Sequence, residues 1–123
     1  MKHIKFLLQN RAVLLDADMS LARLRRLAAE PYFGDLYQFQ RAIQKANGAT
    51  TASLRKIRRR VRELGDIELT PKPLLDGFEL MRLGARPGPG LGQLAEEMYI
   101  EQLEGRLKTS EQARKWVLKR LSG

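Results

Sequence analysis

Hydrophobic residues in this chain recur at intervals of three and four, and no stretch alternates convincingly with a period of two. Ile4, Leu7, Leu8, Ala12 and Leu15 predict a first helix from roughly His3 to Leu15, broken by Asp16-Ala17-Asp18. A second helix carries Leu21, Leu24, Leu27 and Ala28 on one face, with Arg23, Arg25 and Arg26 mostly off it. Asp18 is the expected cap at its start and Pro31 its stop. The third holds Leu36, Phe39, Ile43 and Ala46 and ends near Asn47-Gly48. In the fourth, Leu54, Ile57, Val61 and Leu64 form the apolar stripe. Thr50, Thr51 or Ser53 is the candidate cap, and Gly65-Asp66 the stop.

Residues 66–76, with Pro71 and Pro73, read as an extended connector. Asp76 then caps a short helix, and Arg86-Pro87-Gly88-Pro89-Gly90 forms a rigid turn. A longer helix follows with Leu91, Leu94, Ala95, Met98 and Leu103, ending at Gly105. Thr109-Ser110-Glu111-Gln112 matches a capping box, ahead of a last helix with Ala113, Trp116, Val117 and Leu121 turned inward. The expectation is an all-α chain, a compact bundle of about seven helices. Residues 1–65 make a basic helical body and residues 66–123 a C-terminal helical segment, together one compact unit.

Charge changes this picture more than composition does. The 123 residues carry a formal net charge of +9. Residues 1–64 hold 14 Lys/Arg against 5 Asp/Glu, and residues 65–123 hold 9 against 9, so the whole excess lies in the first half. Arg55, Lys56, Arg58, Arg59, Arg60 and Arg62 place six cations within eight residues. Arg55, Arg58, Arg59 and Arg62, at i, i+3, i+4 and i+7, share one helix face, distinct from the apolar stripe. Glu63 and Asp66 are too few to neutralise them all. Such a one-sided field favours a polyanion, because each neutralised phosphate releases counterions.

Several chemistries are excluded or weak. Cysteine is absent and His3 is the sole histidine. Disulfides, thiolate metal sites and nucleophile–histidine constellations are therefore out. No catalytic residue and no metal site is expected. Asp16 and Asp18 resemble a two-metal carboxylate pair, but they sit between helices with no Gly-Ser turn before them. Gly88, Gly90 and Gly92 resemble a phosphate loop, but no strand precedes them and no Lys-Ser/Thr pair follows. They read as a tight turn feeding a helix N-terminus, where Arg86 could add a phosphate contact. Tyr32, Phe33, Tyr37 and Phe39 read as core packing, with base stacking as the lesser alternative. Lys2 and Lys5 before Phe6-Leu7-Leu8 suggest a signal peptide, but Gln9-Asn10-Arg11 ends the apolar run. With no apolar stretch near membrane length, the reading is a cytoplasmic protein with no membrane contact.

The run from Pro73 through Leu74, Leu75, Asp76, Gly77, Phe78, Glu79, Leu80 and Met81, then Leu83-Gly84-Ala85-Arg86-Pro87-Gly88-Pro89-Gly90-Leu91-Gly92, resembles a signature of the bacterial tRNA nucleotidyltransferase (CCA-adding enzyme) and poly(A) polymerase family. Glu101-Gln102-Leu103-Glu104-Gly105-Arg106-Leu107 and Glu111-Gln112-Ala113 continue the likeness. Met19 to Leu27 and Phe33-Gly34-Asp35-Leu36 resemble the preceding helical body more loosely. The resemblance implies the helical region that holds a tRNA acceptor arm or another RNA 3′ end.

It also implies that Mg²⁺, nucleotide and catalytic aspartates belong to a head absent from this sequence, so this chain carries no cofactor. An opening helix at Met1 suggests an excised or split domain. The expected function is RNA binding, with tRNA as the expected RNA and without catalysis by this chain alone. The alternative is a protein-interaction module pairing with a separate catalytic head or another acidic partner. CCA and poly(A) addition in the parent are not separable from these residues.

Overall fold

A computed structural model describes residues 13–123. Six α-helices follow a 3-10 turn at Val13–Leu15: α1 (Leu21–Ala28), α2 (Phe33–Ala46), α3 (Ala52–Leu64), α4 (Gly77–Arg82), α5 (Pro89–Leu103) and α6 (Ser110–Ser122). The described residues contain no strand, so the all-α class holds, with six helices where about seven were expected. The predicted helix from His3 lies outside the described residues except at its end, which is the 3-10 turn. Among the described residues, no helix is long and apolar enough to cross a membrane. The chain divides into two compact units, Met1–Leu69 and Thr70–Gly123.

In the first unit, α1, α2, α3 and the 3-10 turn enclose one core. Leu14, Met19, Leu24, Leu27, Leu36, Leu54 and Ile57 are buried there, with Phe33, Tyr37, Val61 and Leu64 packed at its edge. The helix starts differ in part from expectation. Ser20, not Asp18, caps α1: its hydroxyl accepts from the Arg23 amide at 3.2 Å. Asp18 lies two residues too early, separated from the helix by the buried Met19.

Thr51 occupies the cap position of α3 without a side-chain cap bond, while the Thr50 hydroxyl accepts from the Ala52 amide at 3.1 Å. Gly65 ends α3 at φ +64°, a left-handed value that a side chain would strain. The α2–α3 turn is held by amides. Gln40 is buried and its Nε2 donates to Gln44 Oε1, and Gln44 Nε2 donates to the Thr50 carbonyl at 3.1 Å.

The second unit packs α4, α5 and α6 around Leu75, Leu80, Ala85, Met98, Leu107, Ala113 and Val117. Asp76 caps α4 in a full capping box with Glu79. Pro89 begins α5, where its missing N–H costs nothing, behind Gly88 at φ +133°. The α6 start also departs slightly from the capping-box expectation. Thr109 Oγ1 accepts from the Gln112 amide at 3.1 Å, but Gln112 Oε1 accepts from the Lys108 amide at 2.8 Å, one residue earlier than Thr109. Leu121 is 41% exposed rather than inward, and Trp116 is half-buried with Arg120 over its ring.

The extended connector is stitched to α5. Tyr99 donates to the Pro71 carbonyl at 2.7 Å, Gln102 Nε2 donates to the Lys72 carbonyl, and Gln102 Oε1 accepts from the Leu74 amide.

The two faces of α3 give a direct contrast. Leu54 is fully buried and Arg55, its neighbour, is exposed. Leu54→Ala is expected to destabilise the protein by about 3 kcal/mol through the cavity it leaves. Arg55→Ala should stay within about 0.5 kcal/mol. Urea unfolding midpoints measure both, and equal effects would contradict the described seating of α3.

Candidate nucleic-acid interface

The rotation of α3 sorts its six cations into two sets. Leu54 and Ile57 point into the core at 0% exposure. Lys56 and Arg60 then fall on the flank beside the segment that precedes α1. Lys56 forms a hydrogen-bonded ion pair with Asp18. Arg60 is half-buried, and its NH1 donates to the Ala17 carbonyl at 2.8 Å. Both were predicted phosphate contacts; both are engaged within the protein.

The other four, Arg55, Arg58, Arg59 and Arg62, are exposed. No acid among the described residues is within ion-pair distance of any of them. They are the set that helical spacing placed on one face. Together with Tyr37, Arg41 and Thr51 they line an open groove of about 400 Å³. Thr51 makes no cap bond, which leaves its hydroxyl at the groove without that duty.

Arg41 was missed in the sequence. It stands one turn after Tyr37 on α2, and only the tertiary arrangement of α2 and α3 adds it to a cluster encoded elsewhere. Tyr37 plays two parts, packing at the core edge and lining the groove, so core packing and ligand contact are not exclusive there. Phe33 also packs at the core edge, and Tyr32 and Phe39 are half-buried.

Arg86 and the glycine turn belong to the second unit. Arg86 is exposed and lines a recess of about 410 Å³ with Gly90 and Leu91, where Arg120 is ion-paired to Glu97. Gly88 and Gly92 lie outside that lining. The α5 start has no side-chain cap, but the Leu91 amide already donates to the Gly88 carbonyl at 3.0 Å. The turn is thus explained by helix initiation.

Asp16 and Asp18, the decoy carboxylate pair, are each turned to a basic residue. Asp16 lies 3.8 Å from Arg23 and its carboxylate accepts from the Asp18 amide, while Asp18 faces Lys56. Among the described residues, no three His, Cys, Asp or Glu side chains are grouped to hold a metal ion.

The Lys56 hydrogen bond, and then its charge, holds the Asp18 carboxyl below its ordinary value. A carboxylate depressed in the folded state contributes stability above its unfolded pKa and loses it as pH falls through the folded one. Lys56→Met should therefore raise the Asp18 titration midpoint, followed by carboxyl carbon NMR, and weaken the acid-side loss of stability assigned to this pair. An unmoved midpoint would mean that Lys56 does not hold Asp18 in solution.

No family model, no curated protein and no solved structure matches this chain.

Proposed function

We propose that this chain is a non-catalytic RNA-binding domain that holds its ligand by the sugar–phosphate backbone through Arg55, Arg58, Arg59 and Arg62. One observation carries the reading. Four guanidinium groups share an exposed face, with no acid among the described residues to neutralise them, and Arg41 joins them across the groove.

Arginine presents a planar fork of donors that matches phosphate oxygens two at a time. A cluster of such forks along a helix suits a linear polyanion better than a single small anion. The like-charged residues at i+3 and i+4 also destabilise the bare helix, and a bound phosphate chain relieves that. The contacts are to backbone, so they orient RNA without reading its sequence.

The parent protein in this proposal is tRNA nucleotidyltransferase-like or poly(A) polymerase-like, and its ligand is a tRNA acceptor arm or another RNA 3′ end. The support for that narrower part is the resemblance carried by Leu74 to Ala113. Nucleotide, Mg²⁺ and chemistry would belong to a catalytic head.

The test is tRNA affinity across a salt series. Replacing all four arginines with alanine should flatten the slope of log affinity against log salt by roughly 3, on about 0.7–0.9 per neutralised phosphate. It should also weaken binding strongly at low salt, with the helical circular dichroism retained. An unchanged slope would defeat the assignment and leave an acidic protein partner as the better reading of the charge.

A further inference from the structure

We infer that a recess beside the arginine groove receives an unpaired nucleobase, so that the RNA is held at a single-stranded nucleotide as well as by its backbone. This deepens the phosphate reading and rests on it.

The recess has a volume of about 220 Å³ and is lined by Phe33, Gly34, Tyr37 and Gln38 of α2 with Arg58 and Val61 of α3. Tyr37 and Arg58 line the groove as well, so the two spaces share a wall. A strand whose phosphates lie on the arginines therefore brings its bases to the neighbouring space.

The chemistry of the lining fits a base. Two aromatic rings and a valine supply the apolar surface on which any base can stack. The Arg58 guanidinium is itself a planar stacking partner. Gln38 offers both a donor and an acceptor for a base edge. The volume lies below the roughly 300–1,000 Å³ of sites that enclose drug-sized ligands, which suits one ring system. Bases in an RNA duplex are stacked and paired, so only an unpaired one can enter.

Gly34 makes the space testable. A Cβ built there meets nothing within 4 Å, and the residue lies inside α2 without a left-handed φ. A larger side chain at 34 should be accommodated by the fold, favoured by helix propensity, and should fill the recess.

The experiment measures binding of a short single-stranded RNA and of the same strand with its bases removed, each across salt, to the full chain and to Gly34→Leu and Gly34→Ala. The unsubstituted protein should prefer the base-bearing strand by about tenfold, within the range of aromatic stacking. Gly34→Leu should erase that preference and keep the salt slope. Gly34→Ala, which leaves the recess open, should keep both.

Equal affinity of the unsubstituted protein for the two strands, or an intact preference in Gly34→Leu, would overturn the base site. Neither result touches the phosphate reading, whose own readout is the slope lost on replacing the four arginines.

Discussion

The burial of Leu54 and Ile57 is the constraint on which the basic surface depends. Both are fully excluded from solvent, and together they contribute about 3–6 kcal/mol. The four arginines form like-charge neighbours at 55/58, 55/59, 58/62 and 59/62. At about 0.2–0.5 kcal/mol each, these oppose the helix by roughly 1–2 kcal/mol. Burial wins, so α3 stays helical and its rotation is fixed by the core. Once that rotation is set, the cations have no freedom of side: Lys56 and Arg60 face the Ala17–Asp18 segment, and the other four face solvent.

This division was half legible in the sequence. A period of 3.6 residues is local information, and it placed Arg55, Arg58, Arg59 and Arg62 on one face correctly. The partners of Lys56 and Arg60, which the same period leaves off that face, are not local information. Lys56 meets Asp18 across 38 residues and Arg60 meets Ala17 across 43. Asp18 looked like a cap because short polar residues before an apolar run usually are caps. The hydroxyl of Ser20 holds that position, and so Asp18 was left to bind a lysine.

Arg41 and the dual placement of Tyr37 were illegible for the same reason: they depend on how α2 and α3 are arranged, which no single-helix pattern encodes. Leu121 errs differently. It has helical spacing with Val117, but it lies at the end of α6 and remains 41% exposed.

In the second unit, the residues that carry the family resemblance have structural occupations. Asp76 and Glu79 close a capping box, Leu80 is buried, Gly88 adopts a left-handed φ before Pro89, and Glu101 is ion-paired with Arg106 around Gly105. The Arg106 hydrogen bond holds the Glu101 carboxyl below its ordinary value, against the opposing effect of burial. A pattern built from caps and turns specifies a way of joining α4, α5 and α6. It therefore bears first on fold, and any RNA role for this unit needs the proposed family as a separate premise.

The first unit differs, because Arg55, Arg58, Arg59 and Arg62 have no described structural partner and yet burden the helix that bears them. Each long side chain must be ordered when it binds, at about 0.5–1.5 kcal/mol. A single phosphate contact at a solvated surface would return little beyond that. Several contacts made by one linear ligand differ, because the ligand's translational and rotational freedom is surrendered once and the counterions leave together. An extended polyanion is consequently favoured over free phosphate by this arrangement. A base held in the adjoining recess would add a neutral, salt-insensitive contact to an otherwise electrostatic grip, and so could fix position along a backbone that the arginines alone leave free to slide.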